Sequence, residues 1–203
     1  MIACLVTDRR RADPIAQARA AASASIDLIQ VRERDLDGGA LATLVHGVLD
    51  AIGDAAVRVV VNDRLDVAIA CGAHGVHLRA DSIAVADARR IAPAGFLVGR
   101  SVHTVEEATA AADADYLIAG TVFPTASKPD QSVHLGGAGL RRLVASTRAP
   151  VLAIGGVSAD TIDEVARAGA AGIAAIGLFA VPDPLDALVR TLRSRFDTAK
   201  TGP

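Results

Sequence analysis

The chain has 203 residues, 51% of them hydrophobic, 22% charged and 2% aromatic, with a formal net charge of −2. That length buries roughly 70% of an extended chain's surface in one core, so a single domain over residues 1–203 needs no staples. The balanced charge excludes a disordered segment and a nucleic-acid footprint. Two separated cysteines, Cys4 and Cys71, are too few for a disulfide framework or a metal cluster and read as reduced thiols of a cytoplasmic protein. The longest uncharged run, Ala168 to Pro182, is broken by glycines and falls short of the roughly 18 residues that a membrane span needs. Asp8 and the arginines after it come too early for a signal peptide.

In chain order, a short apolar run, a turn and an amphipathic stretch alternate eight times. The apolar runs are Ala3–Thr7, Leu28–Arg32, Arg58–Asn62, Gly75–Leu78, Phe96–Ser101, Tyr116–Val122, Val151–Ile154 and Gly172–Leu178. Most are continuous rather than alternating, as parallel strands covered on both faces must be. Leu41, Leu44, Val45, Val48 and Leu49 repeat at helical spacing, as do Val105, Ala108 and Ala112. Thr104 with Glu107 forms a capping box, and Ser158 with Asp160 is a weaker start signal. Eight such units predict an α/β chain folded as one compact (β/α)8 TIM barrel. The alternative, a doubly wound open sheet, lacks a Gly-x-Gly-x-x-Gly turn after the first strand. The segment Phe123 to Ala138 is polar and longer than an ordinary strand–helix connection, which marks a lid or binding loop.

In a barrel the chemistry sits at the C-terminal ends of the strands, so those ends are the candidates. After the second strand, period-two alternation points Gln30, Arg32 and Arg34 the same way. They read as either a solvated basic edge or a clamp whose guanidinium forks match phosphate oxygens. After the third, Asn62-Asp63-Arg64 offers either a helix cap or a carboxylate for Mg²⁺. After the fourth come His77, Asp81 and Ser82, with His77 read as structural, Asp81 as a second carboxylate and no zinc-like spacing. Ser101, after the fifth, has no base partner evident in the sequence, which leaves serine nucleophile chemistry unsupported. Lys128 is the sole lysine apart from Lys200 in the tail, and its place on a loop disfavours a Schiff base and suits a mobile ammonium over a polyphosphate. Gly155-Gly156 and Gly177-Leu178 are either tight turns or a backbone cradle for phosphate. Together the strand ends describe two anion sites, one cationic and one built from backbone.

Six motifs in order carry a resemblance over nearly the whole chain: Gln30-Val-Arg32-Glu-Arg34, Asn62-Asp63-Arg64, Gly75-Val-His77-Leu78, Gly99-Arg-Ser101-Val-His103, Val122-Phe-Pro124-Thr125-Ala-Ser127-Lys128 and Ile154-Gly155-Gly156. With them the chain resembles the thiamin phosphate synthase and thiazole tautomerase superfamily. In the synthase branch, hydroxymethylpyrimidine diphosphate is joined to thiazole phosphate and pyrophosphate leaves, with Mg²⁺ as cofactor and small phosphorylated substrates as the partners. The resemblance implies that Gln30 holds the pyrimidine, that Arg32, Asn62 and Lys128 grip the diphosphate, and that Asp63 binds Mg²⁺. It implies further that Thr125 and Ser127 lie near the thiazole phosphate, that Gly156, Gly177 and Leu178 cradle it, and that Ser101 sits at the centre of the site. Ser101, Lys128 and Arg32 are then the residues of the chemistry. Three positions depart from the family pattern: Arg34 stands for a lysine, Ser82 for the second Mg²⁺ aspartate with Asp81 one place early, and Gly177 for a serine. Two other readings follow from the resemblance. One is a tautomerase, whose histidine at the end of the sixth strand is Thr121 here; the other is a barrel that binds thiamin precursors without turnover. A homodimer is compatible with all three, and neither nucleic acid nor membrane is expected as a partner.

Overall fold

A computed structural model describes residues 1–125, 133–180 and 184–201. Eight strands, β1 (Ile2–Val6), β2 (Leu28–Val31), β3 (Arg58–Asn62), β4 (Gly75–Leu78), β5 (Leu97–Val102), β6 (Tyr116–Gly120), β7 (Val151–Ile154) and β8 (Gly172–Ala175), pair in sequence order, all parallel, and β8 closes on β1. The helices among the described residues are α1 (Pro14–Ser23), α2 (Gly38–Ile52), α3 (Leu65–Ala70), α4 (Val85–Ile91), α5 (Val105–Ala110), α6 (Gly136–Ala145), α7 (Ile162–Arg167), the single turn α8 (Gly177–Ala180) and α9 (Leu185–Thr201). The chain is therefore the expected (β/α)8 barrel, with α8 as an extra turn after the last strand. No helix among the described residues is long and apolar enough to cross a membrane.

Strand alternation sorts the side chains into two cores. Ala3 and Leu5 of β1 join the layer between sheet and helices, whereas Cys4 and Val6 join an interior cluster with Leu28, Val60, Tyr116, Ile118, Leu152 and Ala174. Helix α2 contributes Leu41, Val45, Val48 and Ile52 to the outer layer, one apolar stripe at helical spacing. Nearer the C-terminal ends, the inward places of β2, β3, β4 and β5 are polar: Gln30, Asn62, His77 and Ser101. The barrel thus changes from greasy to polar along its own axis, and this change locates the site. Gly99 makes room for that arrangement, because a Cβ there would lie 2.1 Å from the Tyr116 ring.

Local chemistry explains where the elements begin, and it corrects several expectations. Asp13 and Asp37 cap α1 and α2 by accepting backbone N–H bonds. Thr104 caps α5 by accepting from the Glu107 N–H, but the Glu107 carboxylate reaches past Thr104 to the N–H of His103 at 2.6 Å. Ser158 accepts from Asp160 N–H in a turn, and α7 starts later, with Thr161 at its N-cap. The run Gly172–Leu178 is a strand only to Ala175 and turns helical at Gly177. Likewise Tyr116–Val122 is a strand only to Gly120, and Phe96–Ser101 is shifted to Leu97–Val102. The long connection after β6 gives way to α6 at Gly136 rather than after Ala138.

Candidate functional site

A cavity of about 520 Å³ opens at the C-terminal ends of the strands. Gln30, Arg32, Arg34, Asn62, Asp81, Ser101, Thr125, Gly156, Gly177 and Leu178 all line it, so ten of the sequence candidates meet in one place. Ser127 and Lys128 lie outside the described residues. The expected lid thus enters the site through Thr125 alone among the described candidates.

The floor is built from hydrogen-bonded polar pairs. Gln30 Nε2 donates to Asn62 Oδ1 at 2.8 Å, and both residues are buried. The bond orients the two amides, leaving the Gln30 carbonyl and the Asn62 amino group for a ligand with both donors and acceptors. Beside them His77, 1% exposed, contacts Ser101 Oγ through Nε2 at 2.9 Å and the Tyr116 hydroxyl through Nδ1 at 3.1 Å. Burial, with Arg32 and Arg100 adding their charge, pushes the His77 imidazole down to about 3, while burial drives the Tyr116 phenol well up. Both groups are neutral around pH 7. Ser101 therefore has the partner that the sequence did not reveal, yet that partner is a weak base backed by a phenol rather than a carboxylate. Serine nucleophile chemistry gains no support from it.

The wall above is cationic. Arg32 is half-buried, and its guanidinium is pushed below its ordinary range by burial and by the charge of Arg34, with Arg79 adding to the effect. Like charges gathered under partial burial repel, and an anion between them relieves the repulsion. Arg32 is held there by its backbone, whose N–H donates to Thr7 Oγ1 at 3.0 Å, while Thr7 donates to Glu33 Oε1 at 2.7 Å. Glu33 also accepts from Arg9 N–H at 3.1 Å, which ties the loop after β1 to the end of β2.

Asp63 does not cap α3, where Arg64 is the N-cap and makes no side-chain capping bond. Its backbone is left-handed (φ 62°), a conformation that Asp tolerates better than most residues. One carboxylate oxygen accepts from Ser82 Oγ, and the other lies 3.5 Å from Arg79 Nη1. Asp81, exposed, pairs with the other Nη of Arg79. Ser82, not Asp81, thus stands directly against Asp63, and the two carboxylates share a single guanidinium. A carboxylate pair that already shares one cation suits a divalent ion completed by substrate phosphates. Among the described residues, no group of three His, Cys, Asp or Glu side chains gathers as an all-protein metal site.

The glycines after β7 close the far end. Gly156 has φ 64°, and a Cβ there would lie 2.5 Å from the Pro124 carbonyl, so this backbone approach needs glycine. Arg11 and Thr121 also line the cavity, and neither was singled out as a site residue by sequence. Arg11 belongs to the loop after β1, whose arginines in the sequence argue only against a signal peptide; a Cβ on Gly177 would meet its Nη1 at 3.6 Å. His103 lines the rim and pairs with Glu107 at 3.1 Å.

A family model described as thiamine monophosphate synthase matches residues 3–179. The thiamine-phosphate synthase of Methanoculleus marisnigri is 42% identical over 185 residues, covering 90% of this chain and 88% of that protein. The thiamine-phosphate synthase of Methanoregula boonei is likewise 42% identical, over 90% of this chain and 86% of its own length. Among solved structures, thiamine phosphate pyrophosphorylase from Pyrococcus furiosus superposes with a TM-score of 0.85 at 32% identity, covering 99% of this chain and 97% of that one.

Proposed function

The chain belongs to the thiamine monophosphate synthase family, and from that premise we propose that its barrel joins hydroxymethylpyrimidine diphosphate to thiazole phosphate and releases pyrophosphate. The observation that carries the reading is the gathering of Arg32, Arg34 and Arg79 beside a buried, mutually oriented Gln30–Asn62 amide pair in one cavity. Breaking the bond between the pyrimidine methylene and its diphosphate leaves negative charge on the departing group, and guanidinium forks are matched to those oxygens. Gln30 presents its carbonyl to the ring edge, Asn62 turns its amino group to the diphosphate, and Ser101, set by His77, faces the centre where the thiazole nitrogen attacks the methylene. The Gly156 and Gly177-Leu178 backbone, with Thr125, receives the phosphate of the second substrate, as the last two strands of such barrels commonly do. From the motif they complete, we assign Ser127 to the same task and Lys128 to the diphosphate.

Asp63, with Asp81, would hold Mg²⁺, which when bound supplies further charge neutralisation to the diphosphate. The acid–base route of a tautomerase finds no histidine at Thr121, and His77 is too weak a base to take over. Free, buried Cys4 and Cys71 agree with a reducing compartment, and we place the reaction in the cytoplasm. The test is to incubate the purified chain with both substrates and Mg²⁺ and to follow thiamin phosphate and pyrophosphate together. Equal release of both establishes the reaction. A folded protein that forms neither product, or that instead aromatises a thiazole carboxylate phosphate, overturns it.

A further inference from the structure

The segment after β4 contains a charge arrangement that substrate recognition alone does not explain. Arg79 lies between two acids from different strand ends, Asp63 after β3 and Asp81 in its own loop. Its backbone is pinned: Arg79 N–H donates to Ser82 Oγ at 3.1 Å, and the Ser82 hydroxyl in turn donates to Asp63. Arg100 holds the rest of the loop, donating to the carbonyls of Ile83 at 2.6 Å and Ala80 at 2.7 Å. The Arg79 side chain is 41% exposed, so its head can exchange partners while its backbone stays fixed. It also lines the cavity with Arg32 and Arg34 and contributes to the repulsion that Arg32 feels. Arg79 therefore faces an acidic pair on one side and the anion site on the other.

We propose that Arg79 is a stored cation of the diphosphate site, held by Asp63 and Asp81 in the free protein and drawn to the diphosphate when that anion arrives, a transfer that a divalent ion on the two carboxylates favours. This inference rests on the diphosphate reading above and adds a residue and a coupling to it. A guanidinium and a divalent ion compete for the same acids, because one carboxylate pair cannot satisfy both at full strength. Released from the acids, the guanidinium is left among like charges until an anion meets it. Metal binding and anion binding are thereby linked through one side chain.

The experiment uses the full chain and two separate probes: Mn²⁺ alone, followed by the electron paramagnetic resonance signal of the free ion, and pyrophosphate alone in the presence of chelator, followed by calorimetry. Wild type is compared with Arg79→Ala and with Arg79→Lys, which keeps the charge but cannot span both acids. Arg79→Ala should bind Mn²⁺ several-fold more tightly and metal-free pyrophosphate about tenfold more weakly, the size expected for one charge-assisted bond. Arg79→Lys should also bind Mn²⁺ more tightly while losing less pyrophosphate affinity, and it carries the test if the alanine variant fails to fold. Unchanged or weaker Mn²⁺ binding in both variants, or unchanged pyrophosphate binding in Arg79→Ala, overturns the proposal alone. A wild-type chain that binds neither probe overturns the diphosphate reading and the proposal with it.

Discussion

His77 Nε2 lies 2.9 Å from Ser101 Oγ, and the direction of that hydrogen bond follows from the far side of the ring. Among the described residues, the buried Tyr116 hydroxyl has His77 Nδ1 as its hydrogen-bond partner, and a buried hydroxyl proton left unmatched is costly. Tyr116 then donates to Nδ1, the ring proton sits on Nε2, and Ser101 accepts it. The Ser101 proton is left free to be donated into the cavity. The three side chains come from β6, β4 and β5, and together they convert a greasy barrel interior into a polarised donor at its mouth.

Acid should therefore loosen this protein through His77. An unfolded histidine takes up a proton near pH 6.5, which the folded chain refuses until about pH 3, so the unfolded state binds more protons between those values. Stability is fully present above the upper value and falls as the pH drops through the window, by at most roughly 3–5 kcal/mol. Denaturant unfolding from pH 7 to pH 4 should show this slope in wild type and a shallower one in His77→Gln. Parallel slopes would mean that the imidazole is not held neutral by its surroundings.

The barrel itself was legible because its strands are short continuous apolar runs, and Gln30, Asn62 and Ser101 stood out because each is polar where such a run ends. Pairings across strands were not legible. His77 and Ser101 are 24 residues apart, and they meet because β4 and β5 pair with His77 opposite Gly99, a register set by closure of the barrel rather than by any local pattern. Tyr116 opens the sixth apolar run, its ring fills the barrel interior, and its polar end is revealed only by what it touches. Asp63 kept a capping alternative because Asp before a helix is a common cap, and only its left-handed backbone shows that its side chain turns to Ser82 and Arg79.

Thr7 should matter more than its size suggests. It is buried, accepts from Arg32 N–H and donates to Glu33, which itself is 6% exposed. Thr7→Val keeps the shape but leaves a buried amide and a buried carboxylate each short of a partner. We expect a loss of about 2–4 kcal/mol in chemical denaturation, together with a raised KM for the diphosphate substrate as Arg32 loses its anchor. A loss below about 0.5 kcal/mol would show that water replaces the hydroxyl without strain.

Gly99→Ala tests whether the relay depends on backbone room. The added methyl would sit within 2.1–2.5 Å of Tyr116 Cζ, Cε1 and the hydroxyl oxygen, the polar end of the side chain. Either the ring or the strand must shift, at a cost of about 1–3 kcal/mol. Because Tyr116 would then leave His77, turnover should fall more than the loss of folded protein explains, with KM for both substrates little changed. A variant as stable and as active as wild type would mean that β5 can move away freely.

Arg32 offers the clearest separation of stability from function. Its charge is disfavoured in the folded chain by burial and by Arg34 and Arg79, so removing the charge should help folding while harming binding. Arg32→Gln should therefore unfold at equal or higher denaturant concentration than wild type at low salt, by up to about 1 kcal/mol, with the gap narrowing as salt screens the repulsion. Its kcat/KM for the diphosphate substrate should fall about 100-fold, from the loss of a charge-assisted fork. Arg32→Lys should recover only part of this, because an ammonium is a point charge where two parallel bonds are wanted. Added inorganic phosphate should stabilise wild type more than Arg32→Gln. If Arg32→Gln is instead less stable than wild type and phosphate stabilises both equally, the guanidinium is a structural strut and the anion site lies elsewhere in the cavity.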